Sequence, residues 1–262
     1  MRIQLQGGLC QVGSNAHYPE ERPVRNVQVA PFAMDTHPVT RAQFAEFVRA
    51  TGYTTTAEQQ GSSHVFVKTQ GPVNLNDPTQ WWKPVAGASW QAPQPELDEQ
   101  CPITHVSLQD AKAYAAWVGG RLPTEEEWEF AARGGLHGST FAWGEEFSPG
   151  GQRMAHVWRG SFPWYHADMA QPAPVPVCQH PANGFGLYDM IGNVWEWTVS
   201  PYRRDGAGCC SCTPTQDANT LWALKGGSYL CAAEYCLRYR PAARIGAAHN
   251  TSTAHIGFRC VY

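Results

Sequence analysis

The stretch RLPTEEEWEFAARGG (121–135) reads as a helix whose start is written into it. Pro123 and Thr124 lead into Glu125, Glu126 and Glu127, which set three carboxylates against the positive end of the helix dipole. Such an acidic run can be mistaken for a catalytic cluster. Here it reads as solvated charge at a helix start. Two more helices announce themselves further out. Thr40 and Gln43 form a capping box ahead of Phe44, Phe47 and Val48, with a stop at Gly52. Ser107 to Asp110 opens another, which carries Ala111, Tyr114, Ala115 and Val118 on one face and ends at Gly119-Gly120.

Elsewhere regular periodicity is sparse. Alternation marks strands at Val27–Val29 and His255–Tyr262. Residues 54–106 and 136–186 are rich in Gly, Pro, Asn and Gln, with scattered tryptophans. Long loops are unusual in a compact domain, but disordered segments are poor in aromatics, so both stretches are expected to be ordered coil. No repeat or linker divides the chain, and one domain over 1–262 is expected.

The segment GGSYLCAAEYCLRYRPAAR (226–244) carries the chemistry. Cys231 and Cys236 follow Gly226 and Gly227, which permit a tight turn and close approach. They precede Arg238, Arg240 and Arg244, whose charge favours thiolate over thiol. Two thiolates in a positive setting suit Cu(I) better than Mg or Ca. On spacing alone, a disulfide or two unrelated core cysteines fit as well.

The bulk composition narrows the function classes. The 262 residues include 11 Trp, 10 Tyr and 10 Phe, enough for a large core. A net charge of −3 gives no footprint for nucleic acid. No apolar run is long enough to span a membrane, and MRIQLQGGLCQVGS lacks the pattern of a signal peptide. Nine cysteines at irregular spacing do not form a disulfide framework. GCCSC (208–212) offers three thiols without a fourth ligand, a poor zinc site that reads as a loop.

GFGLYDMIGNVWEW (184–197), RLPTEEEWEFAARGG, HIGFRCVY (255–262) and the cysteine segment together resemble the formylglycine-generating enzymes, or sulfatase-modifying factors. The likeness begins at GGLCQVGS (7–14) and PVTRAQFAEFVRATGY (38–53) and runs to the last residue. It implies an α+β, C-type-lectin-like fold with little regular secondary structure. GNVWEW, the 121–135 stretch and GFRC are shared by members without catalytic cysteines, so they specify fold. The cysteine pair marks the catalytic branch.

The resemblance implies a copper-dependent oxidase that uses O2 and a reductant. It would convert the cysteine of a Cys-x-Pro-x-Arg segment, in an unfolded sulfatase polypeptide, to Cα-formylglycine. Cys231 and Cys236 would hold Cu(I), and the substrate thiolate would join them. Ser228 would bind a reduced oxygen species, although a turn serine in GGS is an equal reading. Trp195, Tyr235 and Arg244 match positions that line the peptide groove, and His255 borders the site. Asp189, Gly192, Val194 and Glu196 match a structural Ca2+ site. A second calcium site is not expected, because His156 stands where the family has asparagine and the loop 164–174 is short. The shortened acidic loop 91–102 implies altered substrate tolerance, with Glu96, Asp98 and Glu99 favouring basic flanks. Two bridges of secreted relatives would need partners at Ala115, Ala132 and Pro241, so a reducing, cytoplasmic setting is expected, as is a monomer. Competing readings are a non-catalytic binding paralogue and an oxidase for another thiol. The iron-dependent sulfoxide synthases of the same superfamily carry a further helical domain that this sequence lacks.

Overall fold

The structure is a computed structural model that describes residues 1–93, 96–203 and 220–262; GCCSC lies outside the described residues. Helices form where side chains can cap them. α1 (Arg41–Thr51) starts at Thr40, whose hydroxyl accepts from the Gln43 amide while the Gln43 side chain accepts from the Thr40 amide. It ends at Gly52 with φ 68°. The same reciprocal box opens α2 (Thr56–Gln60), α3 (Leu108–Trp117) and α4 (Glu125–Arg133). Each box satisfies amides that a helix start leaves without partners.

The strands are short. β1 (Arg2–Leu5) pairs with β4 (Phe32–Asp35), β2 (Gly8–Val12) with β3 (Arg25–Val29), and β5 (Ser62–Phe66) with β6 (Trp82–Ala86), all antiparallel. The largest sheet has the order β10-β7-β8-β9. There β7 (Trp195–Pro201), β8 (Leu221–Lys225) and β9 (Arg244–Ala248) run antiparallel, while β10 (Ile256–Gly257) lies parallel to β7. The expected strand at 255–262 is thus only partly a strand. Beyond Gly257 the chain leaves the sheet, and Val261 bridges Met34 and Arg121 instead. The stretch 54–106 is also more regular than expected, since it holds α2, β5 and β6. Residues 136–186 fit the expectation, with one 3-10 turn at Pro149–Gly151.

The main core joins α1, α3 and α4 to the four-stranded sheet through Phe44, Phe47, Tyr114, Trp128, Trp195, Trp197 and Phe258. Each buried ring is worth roughly 3 kcal/mol or more. A second cluster of Phe66, Trp81, Trp158, Phe162 and Tyr229 is covered by Tyr235.

Charges lie inside this core, and the solvated reading of the α4 carboxylates needs correction. Glu125 is buried, 3.0 Å from Arg244 and 3.6 Å from Lys225. The Arg244 Nε–H is not aimed for a hydrogen bond, so that contact is coulombic. Glu126 pairs with Arg25 and Glu127 with Arg121. One turn on, Glu129 is 2% exposed and accepts from Arg133 at 2.7 Å, Lys225 at 3.0 Å and the Gly13 amide at 2.8 Å. Burial pushes its carboxyl upward, but Lys225 and Arg133 outweigh burial and hold it below the ordinary range. The dipole argument saw only the helix. The cations that reach Glu125 come from β8 and β9.

These groups set a pH dependence. His105 is 1% exposed, with Nδ1 2.8 Å from the Ser63 hydroxyl, and burial lowers it to about 4. A histidine lowered in the folded state is protonated first in the unfolded chain. Stability is therefore full above about pH 6.5 and falls with acidification toward pH 4, by at most about 1.4 kcal/mol per pH unit from this residue. Glu129 adds a loss of the same sign below about pH 4.5. Denaturant unfolding between pH 7 and 5 should show this slope, and His105→Asn should make it shallower while leaving the shares of His156 and His255, which burial also lowers.

Candidate active site

β8 delivers the chain into Gly226 and Gly227, whose φ angles are 98° and 74°. A Cβ on Gly227 would lie 2.9 Å from the Arg238 carbonyl, so glycine lets the two limbs of this loop meet. Two turns follow. The Cys231 amide donates to the Ser228 carbonyl at 2.9 Å, and the Cys236 amide to the Ala232 carbonyl at 2.6 Å. They fold the spacing back on itself, leaving the two sulfurs 3.0 Å apart as free thiols, 2% and 8% exposed. The loop is tied down from below. Gly192 donates to the Gly226 carbonyl at 2.9 Å, Tyr229 to that of Asn193 at 3.0 Å, and Trp158 to that of Cys231 at 3.1 Å.

The pair is electrically unequal. A hydrogen bond from Cys231 holds the Cys236 thiol down at about 7 against burial, with help from Arg238. Burial, then the interaction with Cys236, push Cys231 well above its usual value. The first proton therefore leaves the pair easily and the second is retained. Three arginines were expected to make the setting positive, and the structure corrects that. Each has its own carboxylate: Arg238 with Glu20 at 2.7 Å, Arg240 with Glu21 at 2.5 Å, and Arg244 with Glu125 at 3.0 Å. The cation acting on Cys236 is Arg238.

Ser228 is fully buried beside Cys231; its amide donates to that sulfur at 3.4 Å and its hydroxyl accepts from Leu230. Tyr235 stacks on Phe162 with centroids 4.5 Å apart and meets Trp81 edge-on at 5.2 Å, forming an aromatic wall next to Cys236. Trp195 is 2% exposed in the main core, so its ring is not offered to a peptide. Arg244 is committed to Glu125 and to the Tyr202 ring at 5.0 Å. His255 lies against Trp82, with its Nδ1 2.6 Å from the Thr253 hydroxyl. The loop 91–102 docks at the start of α1, where Arg41 donates to the Leu97 carbonyl and Ala42 to that of Glu99.

The sequence reading missed Tyr18, Glu20 and Glu21. The Tyr18 hydroxyl accepts from the Leu237 amide at 3.0 Å, and its ring lies 3.7 Å under the Arg238 guanidinium. With the two carboxylates they fasten the chain just after Cys236. Their partners are 218 and 219 residues away, so no local pattern signals them.

The soft sulfurs of Cys231 and Cys236 fit Cu(I), which takes thiolates and would replace the proton they share. Asp189, Gly192, Val194 and Glu196 do not fit Ca2+ as a set. Both oxygens of Glu196 accept from Arg259 at 2.8 Å, and the Trp128 indole adds a third bond at 2.8 Å. Arg259 also donates to the Asp189 carbonyl at 3.2 Å. The Glu196 carboxylate is thus committed to a guanidinium. The Asp189 carboxylate accepts from the Cys178 amide, and burial raises it. The His156 ring has its Nε2 2.9 Å from the Ala173 carbonyl.

Residues 1–262 match the sulfatase-modifying factor enzyme 1-like domain. The chain belongs to that family. A Mycobacterium tuberculosis relative named formylglycine-generating enzyme is 47% identical over 289 residues, covering 99% of this chain and 96% of its own length. A Bos taurus relative named inactive C-alpha-formylglycine-generating enzyme 2 is 40% identical, covering 98% and 86%. Among solved structures, PvdO from Pseudomonas aeruginosa superposes with TM-score 0.72 at 23% identity over 99% of this chain and 93% of that one, a likeness of fold. The sulfatase-modifying factor fold, α+β with few regular elements, is therefore the fold of this chain.

Ultraviolet thiolate absorbance should rise by one equivalent through about pH 7 and vanish in Cys236→Ser. Glu20→Gln strips Arg238 of its counter-charge and should move that midpoint down. Arg238→Gln should move it up.

Proposed function

We propose that this protein oxidises a cysteine side chain of an extended polypeptide to Cα-formylglycine. The sulfur pair of Cys231 and Cys236 carries the reading: two free thiols 3.0 Å apart, one poised to ionise, on a loop held rigidly from three sides. The names of the relatives support a sulfatase as the substrate protein.

The chain's own residues supply position and protons. Cys236, the more exposed sulfur, faces the incoming thiol as the thiolate, while Cys231 keeps its proton deeper in the core. The Ser228 amide donates to the Cys231 sulfur and fixes its orientation. The half-buried Tyr235 ring gives the polypeptide an apolar wall, and buried Phe162 and Trp81 back it and keep water from the sulfurs. A folded substrate could not bring its cysteine to a buried pair, so the segment must arrive unfolded. Cu(I) held by the two cysteines would supply the redox chemistry with O2 that thiols lack. In the balanced reaction the substrate thiol, one O2, two electrons and two protons give the aldehyde, one hydrogen sulfide and one water. A Cβ–H bond and the C–S bond break, the carbonyl oxygen forms, and an external thiol reductant provides the two electrons.

Peptide mass spectrometry decides this. With copper, O2 and a thiol reductant, a Cys-x-Pro-x-Arg peptide should gain an aldehyde. Cys231→Ser and Cys236→Ser should each lower the rate by more than about a hundredfold, since even outer residues around a metal are worth roughly ten- to a hundredfold. No aldehyde from copper-loaded protein would favour the non-catalytic reading or another thiol substrate.

A further inference from the structure

The sequence placed a preference for basic substrate flanks on Glu96, Asp98 and Glu99. Leu97 and Glu99 of that loop anchor at Arg41 and Ala42. A different acid stands on the thiol loop itself. Glu234 lies between the two cysteines in sequence and is exposed, next to exposed Ala233 and half-buried Tyr235. Its Oε1 accepts from the Phe162 amide at 2.8 Å. That bond pins the carboxylate next to the Tyr235–Phe162 stack, whose rings are 4.5 Å apart.

Its charge is unanswered. The nearby arginines are matched, Arg238 to Glu20 and Arg240 to Glu21. Glu234 has no ion-pair partner among the described residues. An exposed carboxylate fixed at one oxygen, on the loop joining the two sulfurs, puts negative charge on the solvent side of that loop. We propose that Glu234 determines specificity by drawing a lysine or arginine of the polypeptide to the side of the site walled by Tyr235 and Phe162. The proposal rests on the polypeptide-oxidase reading and deepens it.

Glu234→Gln is the decisive variant, since it keeps an oxygen for the Phe162 amide and removes the charge. Fluorescently labelled peptides carry serine in place of the reacting cysteine, so binding is read without turnover. One set scans a lysine through the flanks, and a matched set has glutamine there. The wild-type protein should bind the best lysine peptide about two- to fivefold more tightly than its glutamine partner at low salt. That ratio should approach one in high salt. Glu234→Gln should abolish the ratio and Glu234→Lys should invert it. Equal binding of both sets by the wild type overturns the proposal, and so does a preference that persists in Glu234→Gln. A Glu234-dependent preference without aldehyde from cysteine peptides would uphold the charge assignment and defeat the oxidase reading.

Discussion

One carboxylate ties the fold together. Glu196, 1% exposed, takes two hydrogen bonds from Arg259 and one from the Trp128 indole. Trp128 belongs to the 121–135 stretch, Glu196 to GNVWEW and Arg259 to GFRC, so the three stretches that specify the fold meet at one charge. Burying an ion pair costs desolvation that its attraction only partly returns. Removing one partner is worse, at roughly 3–5 kcal/mol, because the other is left charged without water. The knot therefore adds little net stability and much selectivity: a chain that mispairs β7 or the C-terminal segment strands a charge, and one that misplaces α4 loses the indole bond. Gly192 and Asn193, just upstream of Glu196, then hold the thiol loop through Gly226 and Tyr229. The placement of the sulfurs thus inherits its precision from the knot.

A second layer of charge surrounds the sulfurs, and pairing governs it as well. Four cations near this loop, Lys225, Arg238, Arg240 and Arg244, all have carboxylate partners. Had the three arginines been unmatched, both thiols would have been driven toward thiolate. With Arg238 partly neutralised by Glu20, only one proton is labile, and the hydrogen bond inside the pair decides which sulfur loses it. A pair that holds one negative charge can stay closed at 3.0 Å, where two charges would repel.

What the sequence revealed and concealed follows from interaction range. Helix starts at Thr40 and Ser107 were legible because a capping box closes over three residues, and the start at Thr124 because three carboxylates follow it at once. The Thr55–Glu58 box and Gly61 stop of α2 had the same form but were lost in a stretch dominated by its Gly and Pro content. Strands such as β7 and β8 were illegible because they are nearly buried throughout, which erases alternation. The cysteine pair was legible as two close thiols. Its environment was not, since Arg238 and Glu20 are separated by 218 residues. The same limit turned Glu125 into an apparent solvated charge.

Scaffold and chemistry are separable here in physical terms. The Glu196 knot, the aromatic core and the capped helices contain no reactive sulfur, and a fold likeness survives at 23% identity. A relative named inactive shares 40% identity. Whole-chain similarity therefore measures mostly the scaffold, because most residues serve it. The reactive property depends on far fewer: two sulfurs, the hydrogen bond between them, one arginine, and the Tyr18–Glu21 segment that holds the chain beyond Cys236. Loss of Arg238 or of the bond between the sulfurs would alter the chemistry first, whereas loss of Glu21 would also strand the buried Arg240. On the proposed reading, the activity of this chain rests on the 226–240 loop and its clamp, where the two sulfurs lie 3.0 Å apart.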